Sequence, residues 1–206
     1  INFNINDFAS AAELLIAHGY QVIRMGSGSE QLFTDAPEGV IDYASSKHRS
    51  EFLDVYLAAT CAFAVSTQTG PDAVCMLFRR PVLYVDVTRY CQFFFGSKIA
   101  TWTPVRLLKD GKILNLSDVV HSDIAWFKDP NLFAANGISQ EKSTEGELRD
   151  LVALYIENRE LPSSEVSRTQ EIVAQGMGER GRRQFGDVTA MLLPNAEQVL
   201  GEWVLK

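Results

Sequence analysis

Short β-branched apolar runs alternate with helix-period stretches over the first 85 residues, and this alternation constrains the fold more than any other property of the chain. The runs are Tyr20-Gln21-Val22-Ile23-Arg24-Met25, Val40-Ile41-Asp42-Tyr43, Ala62-Phe63-Ala64-Val65 and Val82-Leu83-Tyr84-Val85. The first helical stretch carries Phe8, Ala11, Ala12, Leu15 and Ile16 after the caps Asn6 and Asp7, and Gly19 closes it. A second places Phe52, Val55, Tyr56 and Ala59 on one face, and a third carries Val74, Cys75 and Phe78. Strands separated by helices at this spacing predict an α/β fold, a parallel sheet with helices on both faces. Ligands of such sheets bind beyond the carboxyl ends of the strands, which singles out the loops 26–30, 44–49, 66–72 and 86–90.

The rest of the chain is less regular. Residues 88–103 are aromatic and broken, with Tyr90, Phe93, Phe94, Phe95 and Trp102 expected to form a satellite core. Lys109-Asp110-Gly111-Lys112 signals a turn, residues 117–127 a short helix and Leu132-Phe133-Ala134-Ala135 a short strand. Thr144 and Glu147 have capping-box spacing ahead of a helix bearing Leu148, Leu151, Val152, Tyr155 and Ile156. Pro162-Ser163-Ser164 reads as a linker. The expected organisation is one α/β domain over residues 1–161 and a helical extension over 162–206, broken at Gly176, Gly178, Gly181 and Gly186.

Composition narrows the partners. With 46% hydrophobic and 22% charged residues the 206-residue chain has the makings of a globular core, and a net charge of -7 argues against a nucleic-acid partner. Cys61, Cys75 and Cys91 lack metal-ligand spacing and fit a reducing, cytoplasmic setting. No apolar run is long enough to span a bilayer, so no transmembrane segment is expected. The chain opens on Ile1, which predicts a piece trimmed or excised from something larger.

Three loops at the expected ligand edge carry groups suited to phosphate. Ser66-Thr67-Gln68-Thr69-Gly70-Pro71-Asp72 follows a strand and starts a helix, where free N–H groups and the helix dipole favour an anion. The plainer reading is a capped helix, Thr69 with Asp72 forming the box and Pro71 in the first turn. Ser46-Lys47-His48-Arg49 places cations at a helix start, a cost of a few tenths to about 1 kcal/mol unless an anion is present or the turn is merely solvated. Arg24, separated by one residue from the Gly26-Ser27-Gly28 loop, is either paired with a buried carboxylate or aimed at the ligand. Competing chemistries lack support: there is no complete dinucleotide fingerprint, no Gly-Lys-Ser/Thr phosphate loop and no Gly-x-Ser-x-Gly elbow. The single histidines His18, His48 and His121 give no metal spacing, so no metal is expected.

Taken in order, Gly19-Tyr20-Gln21-Val22-Ile23-Arg24-Met25-Gly26, Val40-Ile41-Asp42-Tyr43-Ala44, Arg49-Ser50-x-Phe52-x-Asp54-x-Tyr56-Leu57, 66–74 and Arg80-Pro81-Val82-Leu83-Tyr84-Val85 resemble a family of bacterial glycosyltransferases of polysaccharide biosynthesis. The resemblance covers roughly the first three quarters of the chain. It implies a Rossmann-like, nucleotide-sugar-binding carboxyl-terminal half of a GT-B enzyme. The donor diphosphate would then meet Thr67, Gln68, Thr69 and Gly70, with Arg24, Gly26 and Ser27 facing it. Ser46 and Arg49 join this set on the dipole argument. A sugar would pass, without a metal, from a nucleotide diphosphate to a glycan or lipid acceptor held by an amino-terminal domain missing from this chain. The base would belong to that domain, so the catalytic residue is unknown. The alternatives are a non-catalytic nucleotide- or protein-binding module, or half of a nucleotide-sugar epimerase.

Overall fold

The computed structural model describes residues 3–26, 31–90, 93, 98–158, 168–185 and 191–204. A 3-10 turn, Ile5–Phe8, is capped by Asn4, whose Oδ1 accepts from Asn6 N–H at 3.1 Å. It leads into α1, Ala9–Ala17, which ends at Gly19 in the left-handed region. The following elements are β1 (Ile23–Arg24), β2 (Ile41–Asp42), α2 (Glu51–Thr60), β3 (Ala64–Ser66), α3 (Asp72–Leu77), β4 (Val82–Val87) and β5 (Ala100–Pro104). The expected alternation of strands and helices is therefore present.

The principal sheet has four parallel strands. Its fourth strand, β9 (Met191–Leu192), comes from the C-terminal segment, and the order is β3-β4-β5-β9. All six residues of β4 are buried, and over residues 82–85 the period-2 pleat sends alternate side chains into two separate cores. Val82 and Tyr84 pack with Trp102, Ala58 and Cys75. Leu83 and Val85 pack on the other face with Ala11 of α1 and with Leu148, Leu151 and Val152. Each such side chain contributes about 1.5–3 kcal/mol through burial. A strand covered on both sides needs apolar residues at every position, and Val82-Leu83-Tyr84-Val85 supplies them.

Three features depart from the sequence reading. First, β1 and β2 form their own two-stranded parallel pair, Ile23 opposite Ile41 and Arg24 opposite Asp42, with no ladder to β3 among the described residues. Second, residues 132–135 are helical: α5 spans Asn131–Ala135, with Pro130 at its start and Asp129 Oδ1 accepting from Asn131 N–H at 2.9 Å. A local helix start outweighs a strand pattern that buries only Phe133. Third, the α2 face expected inward is open: Phe52, Val55 and Tyr56 are exposed by 73%, 44% and 52%, while Ala58 is the buried residue of that helix.

Beyond β5 the chain makes an antiparallel sheet, β7-β6-β8, from β6 (Arg106–Lys109), β7 (Lys112–Ile113) and β8 (Ile138–Glu141). Asp110 and Gly111 both have positive φ in the tight turn between β6 and β7, as the Asp-Gly signal implies. The expected helix over 117–127 divides into α4 (Leu116–Val120) and a 3-10 turn, Asp123–Trp126. Tyr90, Phe93 and Trp102 are buried together, and Phe94 and Phe95 lie outside the described residues.

The capping box is present: Thr144 N–H donates to Glu147 Oε2 at 2.7 Å and Glu147 N–H to Thr144 Oγ1 at 3.3 Å, opening α6 (Glu145–Asn158). The C-terminal segment, expected as a helical extension, supplies α7 (Arg168–Phe185), β9 and α8 (Glu197–Leu200), and so completes the sheet as well. It turns at Gly178 (φ 54°), and a Cβ at Gly176 would come within 2.6 Å of Val120. Those two glycines let α7 bend and approach α4.

Candidate functional site

The carboxyl ends of β1, β3 and β4 open onto one cleft of about 1080 Å3. Arg24 and Gly26 line it from the β1 side, Arg49 from the start of α2, and Thr67, Gln68, Thr69 and Gly70 from the β3–α3 loop. Seven of the nine residues singled out in the sequence thus share one wall-and-floor arrangement. Ser46 is not among the lining residues; its hydroxyl accepts from His48 N–H at 3.1 Å in a local turn. Ser27 lies outside the described residues.

The contacts of these residues change their chemical meaning. Arg24 is buried, its Nη1 donates to both carboxylate oxygens of Asp42 at 3.1 Å, and its Nη2 donates to the Gln31 carbonyl at 2.6 Å. Of the two roles open to it, pairing with a carboxylate is the one observed, although Asp42 is half-buried rather than buried. Arg49 pairs with Asp54 at 3.1 Å, which holds the Asp54 carboxyl below its ordinary range. The cations before α2 also lie outside the helix. Ser50 is the N-cap, its Oγ accepting from Leu53 N–H at 3.2 Å, and the first turn carries Glu51 and Asp54, which suit the dipole.

The β3–α3 loop is closed by its own acid. Asp72 Oδ2 accepts from Thr69 N–H at 2.8 Å and from the Ser66 hydroxyl at 2.6 Å, so the donor expected to meet a phosphate already holds a carboxylate. The acidic half of the anticipated cap is therefore real. Burial pushes the Asp72 carboxyl above its ordinary pKa, against the opposing pull of the Ser66 hydrogen bond. Gly70 faces open space, with nothing within 4 Å of an added Cβ.

Gln68 has φ 60°, and this left-handed turn carries its side chain across to the end of β4. Its Oε1 accepts from the N–H of Thr88 at 3.0 Å and of Arg89 at 3.3 Å, and its Nε2 donates to the Arg89 carbonyl at 3.3 Å. The same β4 end is anchored from the opposite side. Asp86, with φ 51° at a register shift between β4 and β5, accepts from Ser143 Oγ at 2.8 Å and from Ser143 N–H at 3.1 Å. Arg106 stands beside this anchor and pairs with Glu147 at 2.7 Å and with Glu141 at 2.9 Å.

Held between these anchors, Arg89 reaches the cleft half-buried, with no ion-pair partner among the described residues. It was not singled out in the sequence, although its loop, 86–90, falls on the expected ligand edge. Its signal is position, since no spacing or composition marks it. Among the described residues no cluster of three or more His, Cys, Asp or Glu could hold a metal, and no helix is long and apolar enough to cross a membrane. Comparisons with protein families, with curated proteins and with solved structures found no match to the chain.

Proposed function

We propose that the cleft binds a sugar nucleotide and that the chain is the Rossmann-like, donor-binding half of a GT-B glycosyltransferase, passing a sugar to a glycan or lipid acceptor. The observation that carries this reading is the convergence of the β1, β3 and β4 carboxyl ends on one cleft of about 1080 Å3 with Arg89, which has no ion-pair partner among the described residues, at its edge. A volume of that order suits a ligand larger than a single ring. The diphosphate lies against Arg89 rather than on Thr69 N–H, because Asp72 already occupies that donor and would repel it. A cation fixed at the leaving diphosphate stabilises charge that grows in the transition state, the task a metal performs elsewhere. Exposed Phe52, Val55 and Tyr56 continue the Asp54–Val55 wall of the cleft, and an acceptor domain closing there would cover them.

Calorimetric titration with UDP and GDP, with and without magnesium, tests the donor site. Saturable binding that survives without magnesium is expected, and failure of both nucleotides to bind removes the proposal. A non-catalytic nucleotide- or protein-binding module is the second reading. It is favoured by the neutralisation of Arg24 by Asp42 and of Arg49 by Asp54. Transfer of a labelled sugar by the chain combined with an acceptor domain separates the two.

A further inference from the structure

Cys61 and Cys75 are far from each other in function class but close in space. Cys61 stands at the C-cap of α2, partly open to solvent, and while protonated its Sγ donates to the Ala58 carbonyl at 3.3 Å. Cys75 is buried in α3, within the core that also holds Ala58 and against which Cys61 packs. The two side chains share a hydrogen bond. Arg80 fastens the segments that carry them: its N–H donates to the Cys75 carbonyl at 2.8 Å and its Nε to the Ala59 carbonyl at 2.5 Å. The bond between the thiols makes them unequal. Cys75, as its donor, holds the Cys61 thiol down to about 7 against burial, and the Arg80 cation adds to the effect. The same bond pushes the Cys75 thiol up, together with burial and the negative charges of Cys61 and Asp72. Cys61 is therefore the sulfur that ionises near neutral pH, and Cys75 the one that keeps its proton.

We infer that Cys61 and Cys75 form a reversible thiol-oxidation site, Cys61 the attacking and Cys75 the resolving sulfur, whose oxidant is a small-molecule disulfide. The Cys61 thiolate attacks one sulfur of the incoming disulfide, whose S–S bond breaks and releases one thiolate, protonated by solvent. Cys61 then carries a mixed disulfide and no charge, so the charge that kept the Cys75 proton in place is gone. Cys75 loses that proton to solvent, attacks Cys61 Sγ and expels the second thiolate. The two protein thiols are oxidised, and the small disulfide is reduced to its thiols. The bridge closes a loop over residues 62–74, which contains β3 and the 66–71 wall of the cleft, and so ties down both ends of that wall. Bonds of this kind are transient in a reducing compartment and serve sensing there.

The full chain is treated with oxidised glutathione at neutral pH, quenched in acid, alkylated in denaturant and cut with trypsin. Residues 50–79 leave as one peptide that holds Cys61 and Cys75 but not Cys91. By mass spectrometry that peptide should lose a pair of hydrogens and resist alkylation, and dithiothreitol should restore it. Bridging should be several-fold faster in the folded chain than in urea, where nothing holds the sulfurs together. Cys75→Ala should leave a glutathione adduct on Cys61 and slow its formation about threefold, because a thiol returned to about 8.5 has less thiolate but a more reactive one. Cys61→Ser should leave Cys75 unmodified. In the bridged chain, amide hydrogen exchange over 66–71 should be slower than in the reduced chain. A peptide left unreacted, a Cys61 adduct in the parent that Cys75 never resolves, or bridging no faster folded than in urea overturns the site. Exchange unchanged by the bridge overturns its hold on the cleft wall. Each readout is taken without nucleotide, so the sugar-nucleotide reading of the cleft stands or falls separately.

Discussion

Gln68 grips the backbone of Arg89 from both sides, accepting its N–H and donating to its carbonyl, each at 3.3 Å. One amide side chain thereby does what a neighbouring strand would do, and it couples the β3–α3 loop to the loop carrying the Arg89 cation.

Gln68→Ala removes three half-buried hydrogen bonds and should lower stability by about 1–3 kcal/mol. It should also weaken UDP or GDP binding, because Arg89 loses its fixed backbone. Urea unfolding and calorimetry on the same protein check both. Stability lost without any loss of affinity would mean that the loop holds Arg89 without Gln68.

Arg24 and Arg89 should answer substitution in opposite ways. Arg89→Met should reduce nucleotide affinity about tenfold or more while changing stability by no more than about 0.5 kcal/mol, since Arg89 makes no ion pair among the described residues. Arg24→Met leaves Asp42 without its partner in a mostly buried site and should cost about 3 kcal/mol. Measuring the urea midpoint and the nucleotide affinity of each variant distinguishes a ligand cation from a structural one. Equal effects of the two on affinity would contradict the assignment.

Acid should act on stability in two opposite steps. Burial raises the carboxyls of Asp72 and Asp86 above their ordinary value of 3.8. The folded state therefore takes up those protons before the unfolded chain does, and stability rises as pH falls from the raised values toward 3.8. The hydrogen bond from Arg106 lowers Glu147 from 4.5 to about 2, so its contribution is complete above 4.5 and is lost as pH falls toward 2. Urea midpoints across this range should show Asp86→Asn abolishing part of the rise and Glu147→Gln flattening the fall. A Glu147→Gln profile parallel to the parent would refute the second step.

At the C-terminal end, Gly176→Ala should destabilise by about 1–3 kcal/mol, because the new Cβ would meet both the Val120 side chain and its backbone carbon at 2.8 Å. The melting temperature reads this directly. Gly146→Ala, where an added Cβ meets nothing within 4 Å, is the control and should not destabilise.

What could be read in the sequence was local and repeated. The strand–helix alternation, the Thr144–Glu147 cap and the Asp110-Gly111 turn are each set by neighbouring residues, and each is found. Arg24 was open between two roles because its partner Asp42 is distant in sequence, and only the β1–β2 pairing brings them opposite. Strand β8 escaped notice since Ile138 is its sole buried residue, too little to make a period. Arg89 owes its significance to what surrounds it in space. The phosphate reading of Thr69 overlooked Asp72 as a ligand for the same N–H, although the cap spacing had already placed that carboxylate there.

The pairing of Thr101 with Met191 also bears on how the chain is made. While β5 is already synthesised, the strand that covers its far edge is still to come, so a growing chain presents a row of unpaired N–H and C=O groups until residue 192 has emerged. The nascent protein therefore passes through a period in which edge-to-edge pairing with another copy competes with folding. A chain truncated before residue 168 would keep that edge of β5 open for good, and self-association would be the first sign of the loss.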